Sequence, residues 1–430
     1  MNYSIKKLSL KKSGSILLIA LPILVFLFNI INTWSAKIAY GTPDLRNRVI
    51  GSRILKHKET TSPYFYKWNK ADGDQFLDMY DSPELPMNRN TVTPFTIQLL
   101  TPVCSLNYTS LSKSWYIAEA ASLLIISLLM LSLAPGIENK IILLGVTLVE
   151  VGLSQNWLLH NLSGQVYIFF PLLLTLLFFL SKKVSVLNNW LSAIILSSLI
   201  LIRPPAALFI LPFILQSKWG ILKNTFLLIL TYFVILFIRN DLWIWQDYFQ
   251  AMNLWSKELF NQHVTKTYLE TFQTTSVEGS HILSQSPKLN LLEDSSVQSF
   301  FYRFLHIQLS SFQLLTMMVS CFAIIFLLYF KKIKQADLSD LFLLTFLFYF
   351  VAELCIPAIR NSYNAVQWIF PLSLFYLNRK QNVTVNLLLL TAAIFTLGWL
   401  KFLPFDLFIA ELLFAIASIV YLTSNNPKNA

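Results

Sequence analysis

Asp44 follows Tyr40-Gly41-Thr42-Pro43 and opens a stretch in which Leu45, Val49, Ile50, Ile54 and Leu55 fall on one helical face. Arg46, Arg48, Arg53, Lys56 and Lys58 fill most of the remaining positions. A carboxylate at the start of such a helix can cap it, which aspartate does well. It can also act as a general base toward a substrate that arrives at a membrane surface. The basic helix itself suits the headgroup plane. Its Arg46 and Arg48 can in addition attract a lipid phosphate. Downstream lies an acidic run of Asp72, Asp74, Asp78, Asp81 and Glu84. Asp72-Gly73-Asp74 has the form that soluble sugar transferases use to hold a divalent metal and a nucleotide diphosphate. No alternating strand and helix pattern surrounds it, so it reads as a solvated loop face, and no metal or other cofactor is expected.

A second set of chemistry-bearing residues sits in apolar surroundings. Glu119, Glu150, Glu353 and Glu411 interrupt long hydrophobic runs, and Arg203 ends another. His160, Gln165, Arg360 and Tyr363 stand at the edges of such runs. Ionisable groups inside a membrane are expensive and mark function by default, or else hydrogen-bond a neighbouring helix. An arginine there offers a planar fork for phosphate oxygens, or pairs with a glutamate. Glu119, Glu150, His160, Gln165 and Glu353 are therefore expected to line a hydrated cavity. Arg203, Arg360 and Tyr363 are expected to meet a phosphate there.

The elements that must position these residues follow from composition. The chain has 430 residues, 55% hydrophobic and only 13% charged. Soluble domains carry about 25% charged residues, so lipid must solvate much of this one. Runs long enough to span predict helices near 14–34, 115–134, 139–157, 164–181, 188–203, 204–216, 222–239, 309–330, 338–356, 363–377, 383–400 and 406–423. The fold class is all-α: a polytopic transmembrane bundle of about twelve helices. Arg203-Pro204-Pro205 breaks the fifth from the sixth. The net charge of +11 reflects Lys and Arg held in short cytoplasmic connections rather than nucleic-acid binding. With both termini inside, every inner connection carries at least one basic residue. Lys6, Lys7, Lys11 and Lys12 precede the first run, and no small-residue cleavage site follows it. Cys104, Cys321 and Cys355 have no metal or disulfide spacing. The chain reads as one domain with two long outer segments, 35–114 and 240–308, bearing amphipathic helices and rich in aromatic residues.

The order of these features resembles the polytopic GT-C glycosyltransferases. The nearest likeness is to glycosyltransferase family 87, the polyprenyl-phosphate-mannose-dependent mannosyltransferases. The likeness covers most of 15–380 and rests on short motifs. They are Asp44-Leu45-Arg46-Asn47-Arg48 after the first helix, Ser62-Pro63-Tyr64, Thr93-Pro94-Phe95, and Gly164-Gln165 opening a helix. Leu201-Ile202-Arg203-Pro204-Pro205 follows, and Arg360-Asn361-Ser362-Tyr363 precedes Phe370-Pro371. Val92-Thr93-Pro94 stands where the family has Tyr-Pro-Pro, and Arg203 where it often has lysine. The resemblance implies an inverting transfer of a hexose, of the mannosyl class, with Asp44 as base. The donor it implies is a polyprenyl-phosphate sugar, and the acceptor a glycolipid or polysaccharide. The site would open on the outer side of a bacterial cytoplasmic membrane. Two rivals stand beside it: a transporter or flippase of lipid-linked sugars, and an oligosaccharide polymerase or ligase. A transporter is expected to show internal repeats, and none is present in the sequence.

Overall fold

In a computed structural model the chain is an all-α, multi-pass membrane protein. The structure describes residues 42–57, 62–65, 90–134, 154–183, 185–259, 296–356, 360, 362–377, 383–396 and 406–424, with isolated positions at 23–24, 27–28, 30–31, 33–34 and 140. Most of the expected helices at 14–34 and 139–157 lies outside the described residues, and no β-strand occurs among the described ones.

Fifteen α-helices occur among the described residues. Helices α1 (Pro43–His57) and α2 (Pro94–Leu100) belong to the first long loop. Then come α3 (Tyr108–Leu133), α4 (Gln155–Ser163), α5 (Phe169–Ser181) and α6 (Val186–Ile202). A 3-10 segment (Pro204–Ile210) leads into α7 (Leu211–Leu215), followed by α8 (Trp219–Ile238). The second long loop holds α9 (Trp243–Leu259) and α10 (Val297–Leu305). Helices α11 (Ser311–Tyr329), α12 (Leu338–Cys355), α13 (Ile369–Leu377), α14 (Val383–Thr396) and α15 (Asp406–Ser424) complete the bundle.

Helix ends follow local chemistry, and this is where the structure departs from hydropathy. Helix α3 starts at Tyr108 rather than 115, because the Asn107 side chain accepts a bond from the Ser110 N–H (2.8 Å) and caps the extra polar turns. The stretch expected to be one helix from 164 begins only at Phe169. Gly164 instead ends α4 in the left-handed conformation (φ 69°), as C-terminal glycines do. The segment 157–163, expected as a connection, is part of α4, which Ser154 caps.

Among the described residues, four apolar helical segments are long enough to cross a bilayer: Tyr108–Leu133, Trp219–Ile238, Ser311–Gln335 and Leu338–Cys355. Shorter apolar helices stand among them. Helix α12 is enclosed by the other helices: 83% of it is buried, against 11% of the apolar stretch in Ser311–Gln335 and 17% of that in α8. Lipid tails are as apolar as leucine, so close packing rather than burial from water must hold such a helix. Aromatic rings supply that packing. Phe342 meets Phe178 (5.4 Å) and Phe213 (5.9 Å), and Trp368 meets both Phe346 and Phe350 (5.0 Å each). Such pairs contribute about 0.5–1.5 kcal/mol each beyond area.

The bundle has two unlike ends. Tyr108 of α3, Phe169 of α5, Arg203 after α6 and Glu353 of α12 lie at the end covered by the loop helices. At the other end Lys218 donates to the Ser181 carbonyl (2.5 Å), Lys182 lies over the Phe178 ring, and Lys332 reaches the Thr423 carbonyl. The two long loops form one cap. Tyr64, Ile97, Ile244 and Ala251 make a shared apolar cluster, with Leu55 and Tyr248 packed against it.

Candidate functional site

Asp44 is the second residue of α1, after Pro43 in the first turn. It is therefore not the N-cap: Pro43 fits the first helical position, where its missing N–H is no loss. Thr42 precedes it at φ 44°, and the Arg46 N–H bonds the Thr42 carbonyl (3.1 Å). Tyr108 of α3 donates to the same carbonyl (2.8 Å) and so holds the start of α1 against the bundle. The positive end of α1 favours the Asp44 charge, and the residue is half-buried.

Helix α1 does not lie with one face in lipid. Eleven of its 15 residues are buried, three arginines among them. Arg53 donates through Nε to the Cys104 carbonyl (2.8 Å). Arg46, fully buried, has its guanidinium 5.9 Å from the Tyr108 ring. Arg48 donates to the Gly164 carbonyl (2.8 Å) and to Gln165 Oε1 (2.6 Å). A basic face that meets protein carbonyls has the same residue spacing as one that meets headgroups, which is why periodicity suggested an interfacial helix.

The turn between α4 and α5 joins this helix to the rest of the site. Gln165, 3% exposed, accepts from Arg48 and donates through Nε2 to Asp44 Oδ2. Two residues on, the Tyr167 ring lies beneath Arg203, whose guanidinium carbon is 4.7 Å from the ring centroid. Two residues of chain reach at most about 7 Å, so Asp44 and Arg203 flank one turn. Gly164 makes this approach possible: a Cβ there would lie 2.7 Å from Leu45 Cβ and 3.0 Å from Thr42 Cβ. Gly164→Ala is expected to destabilise the chain by about 1–2 kcal/mol from the left-handed backbone, plus about 1–3 kcal/mol from overpacking. The melting midpoint in detergent measures this, and an unchanged midpoint would refute the tight contact.

Arg203 follows the last residue of α6, 20% exposed, and is paired with Glu353 of α12. Tyr167 stacks on Tyr363 at 5.4 Å. Both tyrosines are half-buried. Tyr248 of α9 lies within electrostatic reach; burial pushes its phenol up to about 12 while the Arg203 charge pulls the other way. It remains a neutral hydroxyl at physiological pH. The first loop is tied to the same place: Thr93 Oγ1 bonds the Ile202 carbonyl (3.3 Å), and Tyr232 Oη bonds Gln98 (2.7 Å) beneath Trp245.

Arg360 differs from Arg203. It is 4% exposed and meets Glu411 with both terminal nitrogens, at 2.5 and 3.0 Å, while Trp368 Nε1 also donates to that carboxylate (3.1 Å). Glu119 and His160 form a further group, both fully buried, with His160 Nδ1 3.6 Å from Glu119 Oε1. His160 Nε2 accepts the Ile168 N–H (3.1 Å), which leaves the proton of a neutral ring on Nδ1, toward Glu119. Asn161, with its amide turned to satisfy both neighbours, donates to Glu119 Oε2 (2.8 Å) and accepts from Trp157 (2.9 Å). These bonds also fix where α5 begins. Glu150, Asp72 and Asp74 lie outside the described residues.

The structure thus gathers Asp44, Arg48 and Gln165 into one group, and Arg203, Glu353 and Tyr363 into the next. Tyr167 was not foreseen, because a lone tyrosine before an apolar run carries no sequence signal. No family model matches the chain, and no curated protein matches it. Chemically, the arrangement offers an oriented carboxylate and, across one turn, a partly exposed guanidinium with tyrosines around it.

Proposed function

We propose that the chain is an inverting glycosyltransferase that takes a sugar from a polyprenyl-phosphate carrier and passes it to a glycolipid or polysaccharide. The observation that supports this reading is the turn 164–168, which touches Asp44 through Gln165 and Arg203 through Tyr167. A base and a cationic partner on either side of one turn suit a displacement at a carbon between them. The acceptor oxygen attacks the anomeric carbon and gives its proton to the Asp44 carboxylate. The bond from that carbon to the phosphate oxygen breaks, and its electron pair leaves with the carrier phosphate. Arg203 offers the developing negative charge its planar fork. A β-linked donor yields an α-linked product. Tyr167 lies under the guanidinium and stacks on Tyr363, and Tyr248 brings the second loop to the same place. The Lys-rich end of the bundle is assigned to the cytoplasm, which sets the site on the outer side of the membrane. The fold is read as GT-C-like on the same grounds.

Arg203 fits the phosphate role better than Arg360, which Glu411 and Trp368 enclose. Arg46 and Arg48 face protein groups in this state and act on the site through α1. The direct test supplies purified protein in liposomes with ten-carbon prenyl-phosphate sugars (mannose, glucose, galactose and arabinose) and extracted membrane lipid as acceptor. Nucleotide sugars serve as the comparison donors. Transfer from one prenyl-phosphate sugar and from no nucleotide sugar is the expected outcome. Transfer from nucleotide sugars alone, or from none, overturns the reading.

A further inference from the structure

The Gln165 side chain bridges two charged groups of α1 that are four residues apart. Its Oε1 accepts from Arg48 at 2.6 Å, and its Nε2 donates to Asp44 Oδ2. Arg48 has no acceptor to offer, so the amide must turn its oxygen toward Arg48. That leaves the amide N–H₂ as the only end that can face Asp44. Arg48 is itself held by the Gly164 carbonyl (2.8 Å), and both Arg48 (5% exposed) and Gln165 (3%) are buried. The three groups form a chain with one polarity: guanidinium, amide, carboxylate.

We propose that Gln165 is the positioning residue of Asp44, and that Arg48 sets the orientation of the Gln165 amide. This rests on Asp44 being the base. The amide donor holds one carboxylate oxygen, and so fixes the plane in which the other oxygen meets the acceptor hydroxyl. Because the donor is a neutral amide, this contact orients the carboxylate without adding a charge beside it. A direct contact with Arg48 would weaken it as a base by stabilising the charged form. Gln165 thereby stands between the Asp44 carboxylate and the Arg48 guanidinium.

The test compares Gln165→Glu and Gln165→Ala with the unaltered chain in the prenyl-phosphate mannose assay, or with whichever of the four sugars is transferred. A purely structural bridge predicts that Gln165→Glu is tolerated, because a carboxylate still pairs with Arg48. Positioning predicts the reverse. Gln165→Glu sets a second carboxylate where the donor was, and kcat falls by about 10²-fold or more with the melting midpoint retained. Gln165→Ala also loses kcat, with the donor KM within about threefold because a misplaced base changes the chemical step and not ground-state binding. Wild-type kcat in Gln165→Glu, or a loss in Gln165→Ala that lies wholly in KM, overturns the proposal. Loss of transfer in Asp44→Asn together with full activity in Gln165→Glu overturns positioning alone. Transfer that survives Asp44→Asn, or an unaltered chain that transfers none of the sugars, overturns both.

Discussion

Replacing Asp44 by asparagine is expected to lower sugar transfer by about 10²–10⁴-fold while leaving the amount of folded protein unchanged. The substitution keeps the shape of the side chain and removes its capacity to take a proton. Its cost to the fold is small. Asp44 is in the first turn of α1 but does not cap it, so the loss is the helix-dipole term, about 0.3–1 kcal/mol. The amide oxygen of asparagine can still accept from Gln165 Nε2, which makes that bond to Oδ2 in the native chain. Asp44→Glu keeps the base but moves it by one methylene, and an intermediate loss is expected because general-base catalysis demands reach as well as basicity. Initial rates in liposomes at matched protein measure both variants. Native rates in Asp44→Asn would remove the base from the mechanism.

Breaking the Arg360–Glu411 pair is expected to be the most damaging change to stability. The two side chains are 5% and 0% exposed, and the geometry is bidentate. Removing Glu411 leaves a guanidinium that cannot lose its proton, over the Phe350 ring in an apolar bundle. Loss of one partner from a buried pair costs about 3–5 kcal/mol. The Trp368 N–H, which donates to the same carboxylate, loses its acceptor as well. Glu411→Leu is therefore expected to give little folded protein. Arg360→Met with Glu411→Leu removes both charges, and much of the stability should return, since an apolar pair often replaces a buried ion pair at little cost. Melting midpoints in one detergent, at one scan rate, compare the three. The double variant also separates two roles for Arg360. Transfer retained in it assigns the pair to structure, and transfer lost from a stable double variant assigns Arg360 to the carrier phosphate.

What was legible in the sequence divides along a physical line. Solvent class, the all-α architecture and the helix breaks at prolines came from composition and run length, because a bilayer forces backbone groups to bond within their own segment. Arg203-Pro204-Pro205 broke its helix where expected, with Pro204 opening a 3-10 segment. Boundaries set by side-chain caps were less visible. Asn107 and Ser154 extended helices into polar stretches that hydropathy assigns to loops. Gly164 was visible as a motif opening a helix, whereas the structure has it end α4, with no room for a Cβ beside Leu45 and Thr42.

The candidate residues divide in the same way. The sequence by itself determined that the chain lives in a membrane, and that Arg203, Arg360 and the glutamates are costly enough there to need a partner. Only the tertiary structure decided who the partners are. Glu353 lies 150 residues from Arg203, and Gln165 lies 121 from Asp44. Residue type reports what a side chain must find in a medium of low polarity. It does not report which helix supplies it, because that depends on how aromatic and aliphatic surfaces pack between helices of almost uniform hydrophobicity.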